Sequence, residues 1–107
     1  MKSWRDKEAF KVRVYEWAAR LDIRVHVISL RAMKNKWASY TKKSDLLIFN
    51  TELLAIDRSL GEYVIVHELL HFRVPNHGKL WKTYMSAYLP AWEDLDRRLK
   101  QVAGREM

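Results

Sequence analysis

A chain of 107 residues that is 49% hydrophobic, with five Trp, five Tyr and three Phe, fills one core and leaves no length for a second, so residues 1–107 read as a single domain. It has no Cys, which excludes a disulfide framework and any thiolate metal site. The net charge of +7 lies wholly in the first half: residues 1–50 hold 12 Lys+Arg against 5 Asp+Glu, and residues 51–107 hold 8 of each.

In chain order, the start "MKSWRDKEAF" is charged and lacks the apolar centre of a signal peptide, and no apolar run reaches the length of a membrane span. A cytoplasmic protein without a membrane segment is the expectation. From Ser3 to Leu21, Trp4, Phe10, Val14, Trp17, Ala18 and Leu21 recur at threes and fours. That spacing predicts an amphipathic helix with Ser3 as N-cap. "IRVHVISL" (23–30) alternates, with Ile23, Val25, Val27 and Ser29 on one face, and predicts a strand. Its His26 has no partner at ligand spacing and reads as structural. "KWASYT" (36–41) and "LLIFN" (46–50) predict two strands joined by the turn "KKSD" in an antiparallel hairpin. After Asn50, "TELLAI" predicts one short helical turn. Helices are expected over Gly78–Tyr88, ended by Pro90, and over Trp92–Val102, ended by Gly104.

Between these lies "YVIVHELLHF" (63–72), where three ionisable groups interrupt an apolar run. In a strand, positions 67 and 71 would lie about 13 Å apart. In a helix they stack one turn apart, with Cβ atoms about 5–6 Å from one another. Ser59 and Glu62 have the spacing of a capping box, and a helix apolar nearly all round is a buried one. The expectation is a central buried helix from Ser59 to Val74 that carries His-Glu-x-x-His.

That motif has a mechanism: two neutral imidazoles hold Zn²⁺, and the glutamate beside the first acts as general base on the metal's water. It is short enough to occur by chance in on the order of one in a few hundred chains of this length. A third histidine strengthens it. His77 follows His71 by six residues, and three protein ligands that leave one position open are the pattern of a catalytic zinc site. Pro75 ends the helix, and Asn76 tolerates the left-handed backbone of a tight turn that would bring His77 back. His67, His71 and His77 are therefore the candidate metal ligands and Glu68 the candidate catalytic base. As plain core residues, three such groups buried without a metal would be costly.

Taken together, "KWASYT", "LLIFN", "YVIVHELLH", "PNH" and "KLWKTYMSAYLP" resemble the YgjP-like zinc metallopeptidases, relatives of the SprT-like and WLM zincins, over roughly residues 36–99. Ala38 stands where that family usually has Gly, and Tyr40 where it often has Cys, which bears on how a substrate lies along that strand. The resemblance implies an α+β zincin-like fold, a small mostly antiparallel sheet packed on the His-Glu-x-x-His helix. It also implies Zn²⁺ on His67, His71 and His77, Glu68 as catalytic residue, and a peptide or protein substrate. "KWASYT" or "LLIFN" would then pair with an extended substrate, although Trp37, Tyr40 and Phe49 equally suit packing. Tyr84, Tyr88 and nearby basic side chains are candidates to steady an oxyanion.

A second class is a metal-dependent nuclease or nucleic-acid-associated metalloprotein. A family of RNA-processing metalloproteins spaces three histidines the same way, and the basic first half suits RNA or DNA. Glu68 discriminates, because that motif carries Gly there. A protease acting on DNA-attached protein, as SprT-like relatives do, would join the two classes.

Overall fold

The computed structural model describes residues 3–103. Helix α1 (Lys7–Leu21) is capped by Asp6, whose carboxylate accepts the Ala9 N–H at 2.8 Å, so the start falls at Asp6 and not at Ser3. Its buried face is Phe10, Val14, Trp17, Ala18 and Leu21, the stripe that the spacing of threes and fours requires. It ends at Asp22, which takes the left-handed conformation (φ 55°).

Strand β1 (Val27–Arg31) begins four residues later than its alternation suggests. Val25 is buried, but within the strand the inward residues are Ile28 and Leu30, and Val27 faces out. The phase changes because residues 23–26 approach the sheet as irregular chain. His26, beside it, sets its Nδ1 2.5 Å from the Asp45 carboxylate on the surface. Strands β2 (Ala38–Thr41) and β3 (Leu46–Asn50) form the expected hairpin, Thr41 opposite Leu46, around a turn in which Asp45 has φ 52°. The sheet order is β1-β3-β2, with β1 parallel and β2 antiparallel to β3. The α+β expectation holds, and the small sheet is mixed: β2 occupies one side of β3, so β1 pairs on the other.

Asn50 ends the central strand and is fully buried. Its Nδ2 donates to the carbonyls of Met33 (3.0 Å) and Lys36 (2.8 Å), and its Oδ1 accepts the Glu52 N–H, capping a short 3-10 turn at Thr51–Leu54. One amide thus satisfies three backbone groups and fixes the loop that leads into β2.

Helix α2 (Arg58–His71) is central, with Leu60, Tyr63, Val64, Ile65, Val66, Leu69 and Leu70 all buried. The β-branched run 64–66 is helical because burial outweighs propensity. The capping box does not form. Asp57 caps the helix through Ser59 N–H at 3.0 Å, and Glu62 turns to α1, where it accepts from Arg13 Nε at 2.7 Å and Trp17 Nε1 at 2.8 Å. A charge-assisted fork from another helix outcompetes a local backbone bond. Helices α3 (Lys79–Tyr88) and α4 (Trp92–Ala103) complete the fold, and α4 packs along α2. The expected stop at Gly104 lies outside the described residues. Among those residues no helix is long and apolar enough to cross a membrane.

Gly61 is required by packing. A Cβ there would stand 2.5 Å from Nε1 of Trp4, whose buried ring is held edge-on against Phe10 at 5.0 Å. Overpacking costs about 1–3 kcal/mol, which exceeds the roughly 1 kcal/mol of helix propensity that alanine gains. Gly61→Ala is expected to lower the urea midpoint, with a net loss of about 1 kcal/mol. An unchanged or raised midpoint would mean that Trp4 moves aside freely.

Candidate metal centre

His67 and His71 lie one turn apart near the end of α2, with ring centroids at 4.7 Å, as the helical reading requires. The helix stops at His71, three residues before the expected Val74, and this early stop builds the site. The chain tightens through Val74 N–H to Leu70 C=O at 2.7 Å, which folds the Val74 carbonyl back to 3.1 Å from His71 Nδ1. A carbonyl accepts only, so His71 carries its proton on Nδ1 and keeps the Nε2 lone pair free.

The turn then delivers His77. Asn76 is not left-handed, as expected from its type; among the described non-glycine residues only Asp22 and Asp45 have positive φ. It acts through its side chain, accepting the Gly78 N–H at 3.1 Å in an Asx turn that starts α3. His77 Nε2 comes to 2.8 Å from His71 Nε2, and its ring lies 4.8 Å from that of His67. One ligand atom from each of His67, His71 and His77 falls within 4.8 Å of the others, a grouping that could hold a metal ion. Facing Nε2 atoms either share a proton or converge on a cation, and an all-imidazole set suits zinc and its neighbours.

The electrostatics fit a cation as well. Burial, then the charges of His71 and His77, push His67 down to about 3. Burial also lowers His71. Both rings therefore stay neutral, as ligands must be, through the physiological range. Glu68 projects from the same turn, with its side chain 11% exposed and Oε1 3.9 Å from His67 Nδ1, too far for a hydrogen bond. Burial raises it to about 7, against an opposing pull from the Lys36 charge.

One residue that sequence reasoning left unassigned closes the site. Trp81, on the first turn of α3, is buried and lies 5.0, 6.1 and 4.6 Å from the rings of His67, His71 and His77, nearly parallel to His71. Trp92 braces it edge-on at 5.4 Å. The signal was its place four residues after His77, on the first turn of the helix that the reversal leads into. Of the oxyanion candidates, Tyr88 faces α1, edge-on to Trp17 at 6.3 Å with Arg20 over its ring, and Tyr84 packs on the core. Tyr40 of the edge strand β2 packs on Phe72, the residue after His71, with centroids 4.4 Å apart, and joins that strand to the end of α2.

The raised Glu68 has a consequence for stability. Its folded value near 7 exceeds its ordinary 4.5, so folding favours the protonated form. That contribution is full below about pH 4.5 and lost as pH rises through about 7. In chelator-treated protein at pH 8, Glu68→Gln is expected to be more stable than wild type by about 2 kcal/mol. The full shift would give somewhat more, but the surroundings relax around a buried charge. The difference should vanish by pH 4.5. Denaturant titrations of both proteins at the two pH values check this; a pH-independent difference would remove the burial cost as its cause.

The family description "YgjP-like, metallopeptidase domain" matches residues 2–102. The Methanocaldococcus jannaschii protein MJ0123 is 33% identical over 106 residues, spanning 95% of this chain and 96% of its own. The crystal structure of the metallopeptidase zymogen jannalysin from the same organism superimposes with a TM-score of 0.76 at 28% identity, covering 86% of this chain and 94% of that one. The metallopeptidase zymogen abylysin of Pyrococcus abyssi gives 0.76 at 16% identity, over 92% and 98%, a likeness of fold.

Proposed function

Because the chain belongs to the YgjP-like metallopeptidase family, we propose that residues 1–107 act as one zincin-like domain that hydrolyses peptide bonds, with Zn²⁺ held by His67, His71 and His77 and with Glu68 as the general base. The observation that carries this reading is the convergence of three imidazoles, two of them pressed below their ordinary pKa, beside a carboxylate that burial raises to about 7. Bound zinc would supply Lewis acidity, making a water more acidic and a carbonyl more electrophilic.

This chain's own residues do the rest. Glu68 takes a proton from the attacking water and gives it to the leaving amine. A base with a pKa near the working pH is suited to both transfers. The Nδ1–H of His71, bonded to Val74 C=O, keeps Nε2 as the donor atom. Trp81 packs against all three rings, limits their rotation and excludes water from that side. Among the described residues strand β2 pairs only with β3, so its outer edge suits an extended peptide laid antiparallel or parallel to it. The nuclease alternative loses ground to Glu68, which a nuclease of the three-histidine kind has no use for, and to the family itself.

The test is metal analysis of the purified protein, with cleavage of a peptide library before and after chelation. Cleavage is expected to disappear on chelation and to return with one equivalent of Zn²⁺. Chelation-resistant cleavage would overturn the reading.

A further inference from the structure

Strand β2 offers more than an open edge. Trp37 C=O accepts the Asn50 N–H at 2.9 Å, and an antiparallel pair alternates its bonds along the strand. With Ala38 opposite Phe49 and Tyr40 opposite Leu47, the backbone N–H and C=O of Ala38 and Tyr40 therefore point away from β3, toward the open side. Residues two apart share a face of the sheet. Ala38 is buried on that face, and Tyr40, farther along the strand, is 38% exposed.

The face in question is turned to α2. Strand β2 packs against that helix, and the Tyr40 ring lies on that of Phe72 with centroids 4.4 Å apart. Phe72 is the C-cap of α2 and keeps a right-handed helical backbone (φ −63°, ψ −25°). It therefore stands one turn beyond Glu68 on the same stripe of the helix, as i and i+4 do. The edge strand and the end of α2 thus set an aromatic pair beside the proposed base. Tyr40 is also pinned at its polar end. Its hydroxyl donates to Asp45 Oδ1 at 2.9 Å, and Asp45 Oδ2 lies 2.5 Å from His26 Nδ1. With the hydroxyl engaged, what Tyr40 has left to offer a partner is its ring, already held in place, so contact with it costs little ordering.

We infer that Tyr40, braced on Phe72, is a specificity-determining residue: it selects a large apolar side chain at the substrate position that pairs with Tyr40 across the open edge of β2. This rests on the peptidase reading and on a substrate laid along β2. The backbone groups of Tyr40 point outward, so a substrate residue bonded to them in antiparallel pairing is directly opposite, with its side chain on the same face. That side chain meets the Tyr40 ring on the α2 side. A charged side chain would lose water there without gaining a partner, because the Asp45 carboxylate is already engaged by Tyr40 and His26.

The experiment is kcat/KM of the zinc-loaded protein on peptides that differ at one position at a time around the cleaved bond, Leu or Phe against Ala, Lys and Glu, for wild type, Tyr40→Thr and Tyr40→Phe. Wild type is expected to favour Leu or Phe over Ala at one position by about 3–10-fold, the scale of an aromatic contact. Tyr40→Thr keeps a good strand former and removes the ring. It is expected to bring that ratio close to one and to leave the ratios at the other positions in place. Tyr40→Phe keeps the ring, gives up the bond to Asp45 and should retain most of the preference. A merely structural role would slow cleavage of all the peptides alike and leave every ratio as in wild type, which would overturn the inference. So would a wild-type preference for Lys or Glu at the position that Tyr40→Thr alters. Should Tyr40→Thr not fold, Phe72→Leu, which removes the ring that braces Tyr40 and keeps an apolar side chain, decides by the same ratios. Zinc-loaded wild type that cleaves none of the peptides would instead remove the peptidase reading, and the inference with it.

Discussion

Glu68→Gln is expected to lower kcat/KM for a validated peptide substrate by at least about two orders of magnitude, the usual scale of general-base assistance, while zinc stays bound. The substitution keeps the volume and an acceptor oxygen but cannot take up a proton. Glu68 is outside the group of ligand atoms formed by His67, His71 and His77, so zinc content should match wild type. The loss should fall on kcat and kcat/KM together, because a proton transfer is missed in the transition state and not in the bound ground state. Stability offers an internal control. The variant should be the more stable of the two without metal above pH 7, since the carboxylate it replaces is raised to about 7 by burial. An inactive variant that is well folded, zinc-loaded and more stable would assign the loss to chemistry. A Glu68→Gln protein that cleaves as fast as wild type would rule out the mechanism.

The site was more legible in the sequence than the frame around it. The 67/71/77 spacing pointed to three histidines that the fold brings together in a group that could hold a metal ion, because helix geometry turns a separation of four into neighbouring rings, and Pro75–Asn76 marked the reversal. What sequence could not give was the way that reversal works. The left-handed Asn76 expected from residue type is an Asx turn instead, and the helix stops at His71, so that the Val74 carbonyl can hold His71. Local signals also failed where a distant partner competed for the same atoms. Ser59 and Glu62 spell a capping box, yet Arg13 and Trp17, more than 40 residues earlier in the chain, take the Glu62 carboxylate. The basic first half follows the same pattern. Part of its surplus is engaged by the fold's own groups, Arg13 by the Glu62 carboxylate and, at the surface, Arg20 by the faces of Trp17 and Tyr88. Trp81 was invisible as a site residue because it reaches the histidines from another helix, and no single-helix periodicity encodes that.

His77→Ala should weaken zinc binding by more than about 100-fold, beyond the roughly 10–100-fold that follows the loss of an outer partner. The reason is the division of labour among the three proposed ligands. His67 and His71 are fixed by a buried helix and remain after the substitution, but two imidazoles leave the ion half solvated. His77 reaches them only across the turn, where its Nε2 lies 2.8 Å from that of His71. It is exposed, and the turn is held by bonds that do not involve its ring: Val74 N–H to Leu70 C=O, and Gly78 N–H to Asn76 Oδ1. The fold of the metal-free variant should therefore be unchanged, and its melting temperature close to wild type. His71→Ala should differ, because it removes a ligand and also the partner of the Val74 carbonyl, lowering zinc affinity and apo stability together. Chelator competition and thermal melts on both variants separate the two cases. Wild-type zinc affinity in His77→Ala would place the third ligand elsewhere; Glu93 and Asp94 would be the carboxylates to test, though both are exposed on α4 and Asp94 is engaged by Arg97.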